Sequence, residues 1–420
     1  MRRHLLVGFR VALAMVLGAA VWCPPEVALG QLPIGLPDFP RKVRRSLPPL
    51  RPDQEIRMGA LKLHPSYETS VTYDDNVRLS NTNKEGDVFF TQRPGLVGEV
   101  RLGDHRVEAG YGIELLTFVK DHEENAVNHL AHALLEMNFN DLHLTASDAM
   151  EEATNRLLNE NSVRNRAFLN TASIGGRYDR PHWALESSWT HNTVKYQTAQ
   201  FKPNDYGEDV LSVLGGYKAA PKLLVLLEPT VGLINYDRNT TNADQPYWQL
   251  MTGFRTESID RLISSVKIGY QHRTLTDVGG QGAHRNYSGL VANMETTYKL
   301  NSSDNATLAY SRTVWPSTHT NNNWYREDRL GLSLRKGLGQ KWSLIPAVAW
   351  QMNAYPEAST VGDVTKRRRD NLATAGVGLR YDIQEWLSTG IAYDFRSRRS
   401  NFSTFNYNDN QFSVDLTVAF

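Results

Sequence analysis

Apolar and polar residues alternate along the last nine positions of the chain, 412–420. Side chains of a β-strand point alternately to its two faces, so one face of this segment carries Phe412, Val414, Leu416, Val418 and Phe420. The opposite face carries polar residues, so one side suits lipid and the other suits water. A strand of a soluble sandwich has the same alternation, so the rest of the chain must decide between the two.

The same period of two continues through the chain from Leu61 onward. The predicted strands form hairpins with tight turns at one end, such as Gly103-Asp104 and Asn140-Asp141, and long polar connections at the other. Short turns on one side and long loops on the other are typical of periplasmic turns and extracellular loops. We count about eighteen strands, an even number as in single-chain bacterial barrels.

Charged residues within these strands keep to the face opposite the apolar one. A Lys or Arg facing lipid near the middle of a bilayer costs roughly 2–4 kcal/mol, which explains this strict separation. We therefore predict that the charged residues line a pore: Arg93, Glu99, Arg101, Arg106, Glu108, Glu114, Arg177, Glu186, Arg255, Lys267, Glu295, Lys299, Arg329, Arg335, Arg380, Asp394 and Asp415.

The pattern predicts an all-β fold, a single antiparallel transmembrane β-barrel over residues 58–420. Aromatic residues border the tight turns, as in Tyr178 with Trp183 and Tyr381 with Trp386, and are typical of a membrane interface. The chain stops on Phe420, which is similar to the C-terminal signature by which Gram-negative outer-membrane barrels are recognised for insertion. The five apolar residues of segment 412–420 are therefore predicted to be a signal for the barrel-assembly machinery.

Composition agrees with a barrel and excludes several other classes. The 420 residues include 46 Lys and Arg against 45 Asp and Glu, which gives no basic surface for nucleic acid. A single cysteine excludes a disulfide scaffold. The mean hydropathy of -0.46 is too polar for a helical membrane protein, whereas a barrel needs lipid-facing residues only at every second strand position.

Residues 1–30 are predicted to be a signal peptide. Arg2, Arg3 and Arg10 precede or flank the apolar run 11–22, which is too short to span a bilayer, and small residues at 28–30 suit a signal peptidase. The alternative, Cys23 as a lipoprotein acceptor, is a poor fit after the bulky Trp22. Removing three Arg and Glu26 changes the net charge from +1 to -1. We expect Sec-type export and a location in the Gram-negative outer membrane.

Residues 31–57 are predicted to be an arm outside the barrel. Six prolines and the basic run 41–45 prevent a packed unit or a sheet interior. The arm either remains a solvated periplasmic extension, contacts a partner, or folds back as a plug.

Short motifs between residues 61 and 96 add a resemblance. These are Leu61-Lys62-Leu63-His64-Pro65, Tyr73-Asp74-Asp75-Asn76-Val77, Lys84-Glu85-Gly86-Asp87 and Arg93-Pro94-Gly95-Leu96. With the overall layout, they resemble the outer-membrane β-barrel porin family whose members commonly occur with exopolysaccharide synthesis and export machinery. The resemblance implies a barrel and an association with polysaccharide export, and it implies no functional residues.

Two groups of residues suggest metal ions, although no metal site is predicted. Acidic residues in Tyr73-Asp74-Asp75-Asn76 suit calcium, but Asp and Asn also favour the turn expected there. The residues His122, Glu123, Glu124, His129 and His132 suggest zinc, but no tight spacing places three ligands on one surface.

Two loops are further candidates. The run Lys366-Arg367-Arg368-Arg369 is predicted to lie in a loop, where it either binds anionic lipopolysaccharide or an acidic glycan or is simply solvated. The segment 148–166 has helical propensity between Ala149 and Leu158 and is expected to fold inward as a constriction or to form a surface lid.

These features predict a monomeric channel that needs no cofactor. No nucleophile elbow, phosphate loop or acid–base pair is evident, although a barrel enzyme can assemble its site from distant strands. An inner face that mixes acids, bases and neutral polar residues suits hydrated, neutral or weakly charged chains, so we hypothesise export of exopolysaccharide delivered by periplasmic polysaccharide-export proteins. The alternatives are a general diffusion porin for small solutes and a structural or adhesive surface barrel.

Overall fold

The computed structural model describes residues 55–155, 160, 164–237, 242–259, 261–276, 285–301, 303–319 and 321–420. The predicted signal peptide, 1–30, and almost all of the predicted arm, 31–57, lie outside the described residues. The last residues of that arm belong to a short strand, Ile56–Met58, which pairs with residues 61–63 of the next strand.

The described residues form nineteen antiparallel strands in one sheet. They are β1 (Ile56–Met58), β2 (Leu61–Asp74), β3 (Asp87–Leu102), β4 (His105–Phe118), β5 (Ala126–Asn138), β6 (Leu142–Asn155), β7 (Asn165–Asp179), β8 (Trp183–Tyr196), β9 (Tyr206–Ala220), β10 (Leu223–Tyr236), β11 (Gln245–Ile259), β12 (Leu262–Arg273), β13 (Tyr287–Lys299), β14 (Asn305–Pro316), β15 (Trp324–Leu338), β16 (Trp342–Val361), β17 (Val364–Gln384), β18 (Leu387–Ser400) and β19 (Tyr407–Ala419).

Strands β2 to β19 close into a barrel of eighteen strands. Each strand pairs with the next one in the sequence, and β19 pairs with β2 from Gln411 opposite Asp74 to Ala419 opposite Ser66. Closure joins the first and last strands of the barrel, which a bilayer favours because lipid offers no hydrogen bonds to a free sheet edge. The predicted all-β barrel of about eighteen strands is confirmed.

The two ends of the barrel differ, as the sequence predicted. At the turn end, connections are as short as Gly103 and Asp104 between β3 and β4, where Gly103 has a φ of +64 that suits glycine. At the loop end, the connections include residues 75–86 and 119–125. The β16–β17 connection at this end is short, because these strands extend to 20 and 21 residues. In the described part of the chain, helix is limited to short 3₁₀ turns, and none could span a membrane.

Apolar side chains cover the outer face. Val348, Ile391 and Val414 are each more than half exposed to solvent in the isolated chain. Near the turn end, Trp342 contacts Tyr381 in a tilted arrangement with ring centres 4.5 Å apart, and Trp386 stacks on Phe420 at 5.5 Å. These rings form an aromatic border of the kind found at membrane interfaces.

The five residues predicted as an assembly signal lie on or beside the last strand. Phe412, Val414, Leu416 and Phe420 are exposed on the outer face, and the Phe420 amide donates to the Pro65 carbonyl at 3.1 Å. Their recognition by assembly machinery stays a prediction.

The wall is interrupted at one place near the loop end. The pairing of β13 with β14 stops at Ala292 opposite Arg312, although β13 begins at Tyr287 and β14 continues to Pro316. Beyond this point β14 remains paired only with β15, up to Pro316 opposite Trp324. The end of this hairpin therefore leaves the wall.

Candidate functional site

The inner wall toward the turn end carries ion pairs between neighbouring strands. Arg93 on β3 donates to Glu114 on β4 at 2.6 Å and to Glu68 on β2 at 2.7 Å. Arg106 on β4 approaches Glu99, Glu108 and Glu136, of which Glu136 is nearest at 2.8 Å. Strand alternation places all these side chains on the same face, so acids and bases meet side by side.

Similar pairs continue around the wall. Glu186 on β8 accepts a hydrogen bond from Arg255 at 2.8 Å and lies 3.5 Å from Arg177, and Lys267 pairs with Glu228 at 2.7 Å. Arg101 pairs with Glu99, and Arg380 with Asp382. The remaining residues predicted to line the pore share the same alternation of their strands: Glu295, Lys299, Arg329, Arg335, Asp394 and Asp415. Whether the whole set lines a conducting path stays a prediction.

The loop end of the lumen is filled by the tip of the β14–β15 hairpin. Ser317, Asn322 and Asn323 of the β14–β15 connection are at most 5% exposed, and Tyr325 at the start of β15 is fully buried. Asn323 accepts from the Ala243 amide, and its carbonyl accepts from the Gln245 side chain. The tip therefore reaches the β10–β11 side of the barrel.

An apolar contact holds the same hairpin inside. Val314 and Trp324 have the alternation that would face lipid in a regular wall, but they pack against Met251, Tyr287 and Val291 on the inner faces of β11 and β13. Because the hairpin leaves the wall after Arg312, residues that would face lipid in a regular wall meet the inner faces of the nearby strands β11 and β13. Burial of these apolar surfaces stabilises the inward position.

Glu160, in the β6–β7 connection, contacts this hairpin from across the lumen. Its carboxylate accepts hydrogen bonds from the Ser317 hydroxyl at 2.6 Å and from the Thr318 amide and hydroxyl at 2.9 and 3.2 Å. Its backbone carbonyl accepts from Arg368 at 2.8 Å and from Arg398 at 3.4 Å. We call Glu160 together with residues 317–319 and 321–323 the loop plug.

Two buried arginines form the wall behind Glu160. Arg368 on β17 also donates to both oxygens of Asp370, and its guanidinium lies 3.8 Å from the centre of the Phe405 ring. Arg398 on β18 lies over Tyr407 and donates to the Phe405 carbonyl at 2.6 Å. Aromatic faces and carbonyls thus hold two cations at the inner wall.

The basic run was predicted to lie in a loop, and this prediction was wrong. Residues 366–369 lie near the start of the long strand β17. Strand alternation separates the run: Arg368 faces inward and is buried, while Arg367 and Arg369 are exposed on the other face. The sequence showed a cluster of charge, but strand length decided which arginine enters the lumen.

The environment of the loop plug changes its protonation. Burial raises the pKa of Glu160 above its ordinary value, and the hydrogen bonds from Ser317 and Thr318 oppose this shift. Burial and the nearby Arg368 cation lower the pKa of His319 to about 4, while Asp370 opposes that shift. His319 is packed between the rings of Tyr355 and Phe405. A neutral His319 therefore fits the closed arrangement.

Tyrosines fill another part of the loop end. Tyr196, Tyr206 and Tyr236 are buried on the inner faces of β8, β9 and β10, together with Val194 and Ile234. An apolar cluster inside a barrel excludes water locally. With the loop plug, it narrows the lumen at this end.

Three carboxylates meet near the seam that closes the barrel. Oxygens of Asp74, Asp75 and Asp409 lie within 4.8 Å of one another. Asp74 accepts from the Asn76 amide at 2.7 Å, and Asp75 accepts from the Asn410 amide and side chain. The turn predicted at this position is thus present.

The two faces of β5 separate the residues considered for zinc. His129 contacts the ring of Tyr111, which is exposed on the outer face of β4. His132 contacts Glu108 at 2.8 Å on the inner face. Residues 122–124 form a 3₁₀ turn at the loop end. This arrangement does not bring the five residues to one point.

The segment 148–166 is a strand over much of its length, so the predicted helical propensity was wrong there. β6 continues to Asn155, and Met150 and Glu151 pair with residues 169 and 170 of β7. Residues 156–158 lie outside the described part of the chain. The expected inward contact is nevertheless present at Glu160.

Sequence reasoning missed an ionic cluster on the outer alternation of β14 and β15. Asp328 pairs with Arg312 and with Arg326, and the Tyr310 hydroxyl donates to Asp328 at 3.0 Å. The cluster lies where the β14–β15 hairpin leaves the wall. The signal in the sequence was three charged residues at strand positions that would otherwise face lipid.

Comparisons with known proteins agree with the barrel. Residues 52–420 match the model of a family described as "Putative beta-barrel porin 2". The chain is similar to the solved structure of OccK1 (OpdK) from Pseudomonas aeruginosa, with a TM-score of 0.49 and 9% identity, covering 85% of this chain and 99% of that chain. It is also similar to OccAB3 from Acinetobacter baumannii, with a TM-score of 0.47 and 11% identity, covering 86% of this chain and 99% of that chain. A third similar structure is a bacterial polysaccharide outer membrane secretin, with a TM-score of 0.37 and 13% identity, covering 85% of this chain and 98% of that chain. No curated protein sequence matches the chain.

Proposed function

Since the chain belongs to the family described as "Putative beta-barrel porin 2", and is an outer-membrane β-barrel of the porin type, we propose that it passes exopolysaccharide across the outer membrane. Periplasmic export proteins deliver the polysaccharide to the turn end of the barrel. The predicted arm, 31–57, is a basic segment that precedes the barrel in the sequence and is the proposed contact for such a partner. The glycan leaves at the loop end.

The observation that carries this proposal is the paired wall toward the turn end. Arg93 lies between Glu68 and Glu114, and Glu186 lies between Arg177 and Arg255. Neighbouring opposite charges cancel each other's field over a few ångströms, while their oxygens and N–H groups still offer hydrogen bonds. Such a surface suits a hydrated sugar chain that carries little charge.

The loop plug supports gated export rather than permanent diffusion. The hairpin tip is buried by contacts from several strands, and Glu160 joins it to β17 and β18. A diffusion porin needs an opening that stands free at all times. A secretion channel instead benefits from closure while no chain is present, because closure preserves the permeability barrier.

Deleting the gene in the native host tests the proposal. We expect secreted polysaccharide to fall to a small fraction of its normal amount and to return on complementation, while uptake of small sugars and amino acids is unchanged. The measurements are total secreted hexose and uronic acid and the uptake of labelled small solutes. Normal polysaccharide with reduced solute uptake would show a diffusion porin, and normal values for both with reduced surface attachment would show an adhesive barrel.

A further inference from the structure

Arg368 and Arg398 converge on one point at the inner wall, and that point is occupied by the protein itself. Both guanidiniums donate to the Glu160 carbonyl, at 2.8 and 3.4 Å. The two arginines come from neighbouring strands, β17 and β18, whereas Glu160 comes from a connection more than 200 residues earlier. The two cations are thus covered by Glu160.

Charged groups surround the carbonyl of Glu160. Arg368 and Arg398 donate to this oxygen, and Asp370 pairs with Arg368. His319 is neutral near pH 7 because its pKa is lowered to about 4. A carboxylate at the position of the Glu160 carbonyl would therefore meet two guanidiniums.

Arg368 also retains unused capacity to bind. Its Nη1 atom is buried and has no hydrogen-bond partner among the described residues, while its Nε and Nη2 atoms hold Asp370. Arginine binds carboxylates through two parallel N–H donors, and the Phe405 ring fixes the plane of this guanidinium at 3.8 Å. The donors are oriented before any ligand arrives.

We propose that Arg368 and Arg398 form a subsite for the carboxylate of an acidic sugar, such as a uronate, that occurs at intervals in an otherwise weakly charged glycan, and that Glu160 occupies this subsite when the channel is idle. This inference rests on the proposed function and specifies its substrate class. The incoming carboxylate replaces Glu160 as the partner of the two arginines. Loss of Glu160 also removes the hydrogen bonds that it accepts from Ser317 and Thr318, so binding of the glycan releases the β14–β15 tip.

Single-channel recordings with the purified full chain in planar bilayers test the subsite. The probes are polygalacturonate oligomers and uncharged malto-oligosaccharides of equal length, added at either side. For the wild type we expect the acidic oligomers to bind at least about tenfold more tightly than the neutral ones, equal to about 1.4 kcal/mol. Arg368→Gln and Arg398→Gln are expected to remove this preference.

Arg367→Gln is the matched control, because Arg367 is adjacent in sequence but exposed on the other face of β17. It loses the same charge and should keep the preference. Glu160→Ala keeps the backbone carbonyl that both arginines contact, but it removes the carboxylate that anchors this residue to Ser317 and Thr318. It therefore tests whether these anchors hold Glu160 in the subsite. If Glu160 occupies the subsite, this variant binds the acidic oligomer more tightly than the wild type does, whereas a merely structural Glu160 would not change or would weaken this affinity.

The outcomes separate this inference from the proposed function. Equal binding of acidic and neutral oligomers by the wild type, or an unchanged preference in the arginine variants, would overturn the subsite and leave polysaccharide export in place. Failure of both kinds of oligomer to enter the wild-type channel, together with normal secretion in the deletion strain, would overturn export itself. If an arginine variant does not assemble, the affinity of Glu160→Ala decides the question.

Discussion

The pKa values of two residues, Glu160 and His319, depend on the burial that the loop plug gives them. Glu160 is buried and His319 is partly buried near Arg368, and their pKa values move in opposite directions. For an acid whose pKa is raised, the closed state binds the proton more tightly than the open state does, so lowering the pH favours closure. For a base whose pKa is lowered, the closed state favours the neutral form, so lowering the pH opposes closure.

These opposite signs give a prediction about pH. In Glu160→Gln only His319 titrates, so we expect open probability to rise as the pH falls from His319's ordinary 6.5 toward about 4. In His319→Gln only Glu160 titrates, so open probability should fall on acidification. Bilayer recordings between about pH 7.5 and about pH 5 measure both. The same pH response in the two variants would contradict these roles, and the double variant serves as the control with neither group.

At the scale of elements, the β14–β15 hairpin has one part within the barrel wall and one part outside it. Its lower part pairs with β13 and β16 like any barrel strand, while its tip crosses the lumen. The transition coincides with Arg312, Asp328 and Arg326, which are charged at positions that would otherwise face lipid. Charged side chains are unfavourable against hydrocarbon, so they mark where the strand pair leaves the membrane wall.

Removing the tip tests its role as the plug. We expect replacement of residues 318–322 by two glycines to increase single-channel conductance about twofold or more, because the hairpin narrows the lumen. Single-channel recording and the uptake of sugars into liposomes measure the change.

The matched control replaces the exposed segment 81–83 of the β2–β3 connection by glycines. It also alters a polar segment at the loop end, but it leaves the hairpin tip in place. A conductance equal in the wild type and both variants would mean that the tip does not narrow the path.

At the scale of the whole molecule, the barrel separates lipid from solvent by strand alternation. Val414 is more than half exposed and is flanked across the sheet by Val71 and Ile391, which are also outward and exposed. Its neighbour Ser413 faces inward between Thr72 and Ala392. Adjacent positions thus meet different surroundings.

This alternation predicts different effects of one substitution at two adjacent sites. Val414→Arg is expected to lower the free energy of unfolding by about 2–4 kcal/mol, because it places a cation against hydrocarbon near mid-bilayer. Ser413→Arg should cost about 1 kcal/mol or less, because its side chain reaches the lumen. Urea-induced unfolding in lipid vesicles measures both. Equal costs at the two sites would be incompatible with the assigned outer face.

Much of the architecture was predictable because it follows from local rules. The strand alternation, the short turns such as that at Gly103, and the restriction of most charges to one parity are all local properties of the sequence. A bilayer enforces them at every strand, so they remain visible without knowledge of distant contacts. The long strands β16 and β17 were harder, because the run 366–369 has the composition of a loop.

The sequence alone determined a closed barrel with an oily outer face, a mixed-charge inner face and two unlike ends, because hydrocarbon and water impose their demands on each residue separately. Only the tertiary structure decided that the β14–β15 tip enters the lumen and that Glu160 meets Arg368 and Arg398. These contacts join residues up to 238 positions apart. They depend on which segments reach the same point in space, and no local pattern of polarity records that.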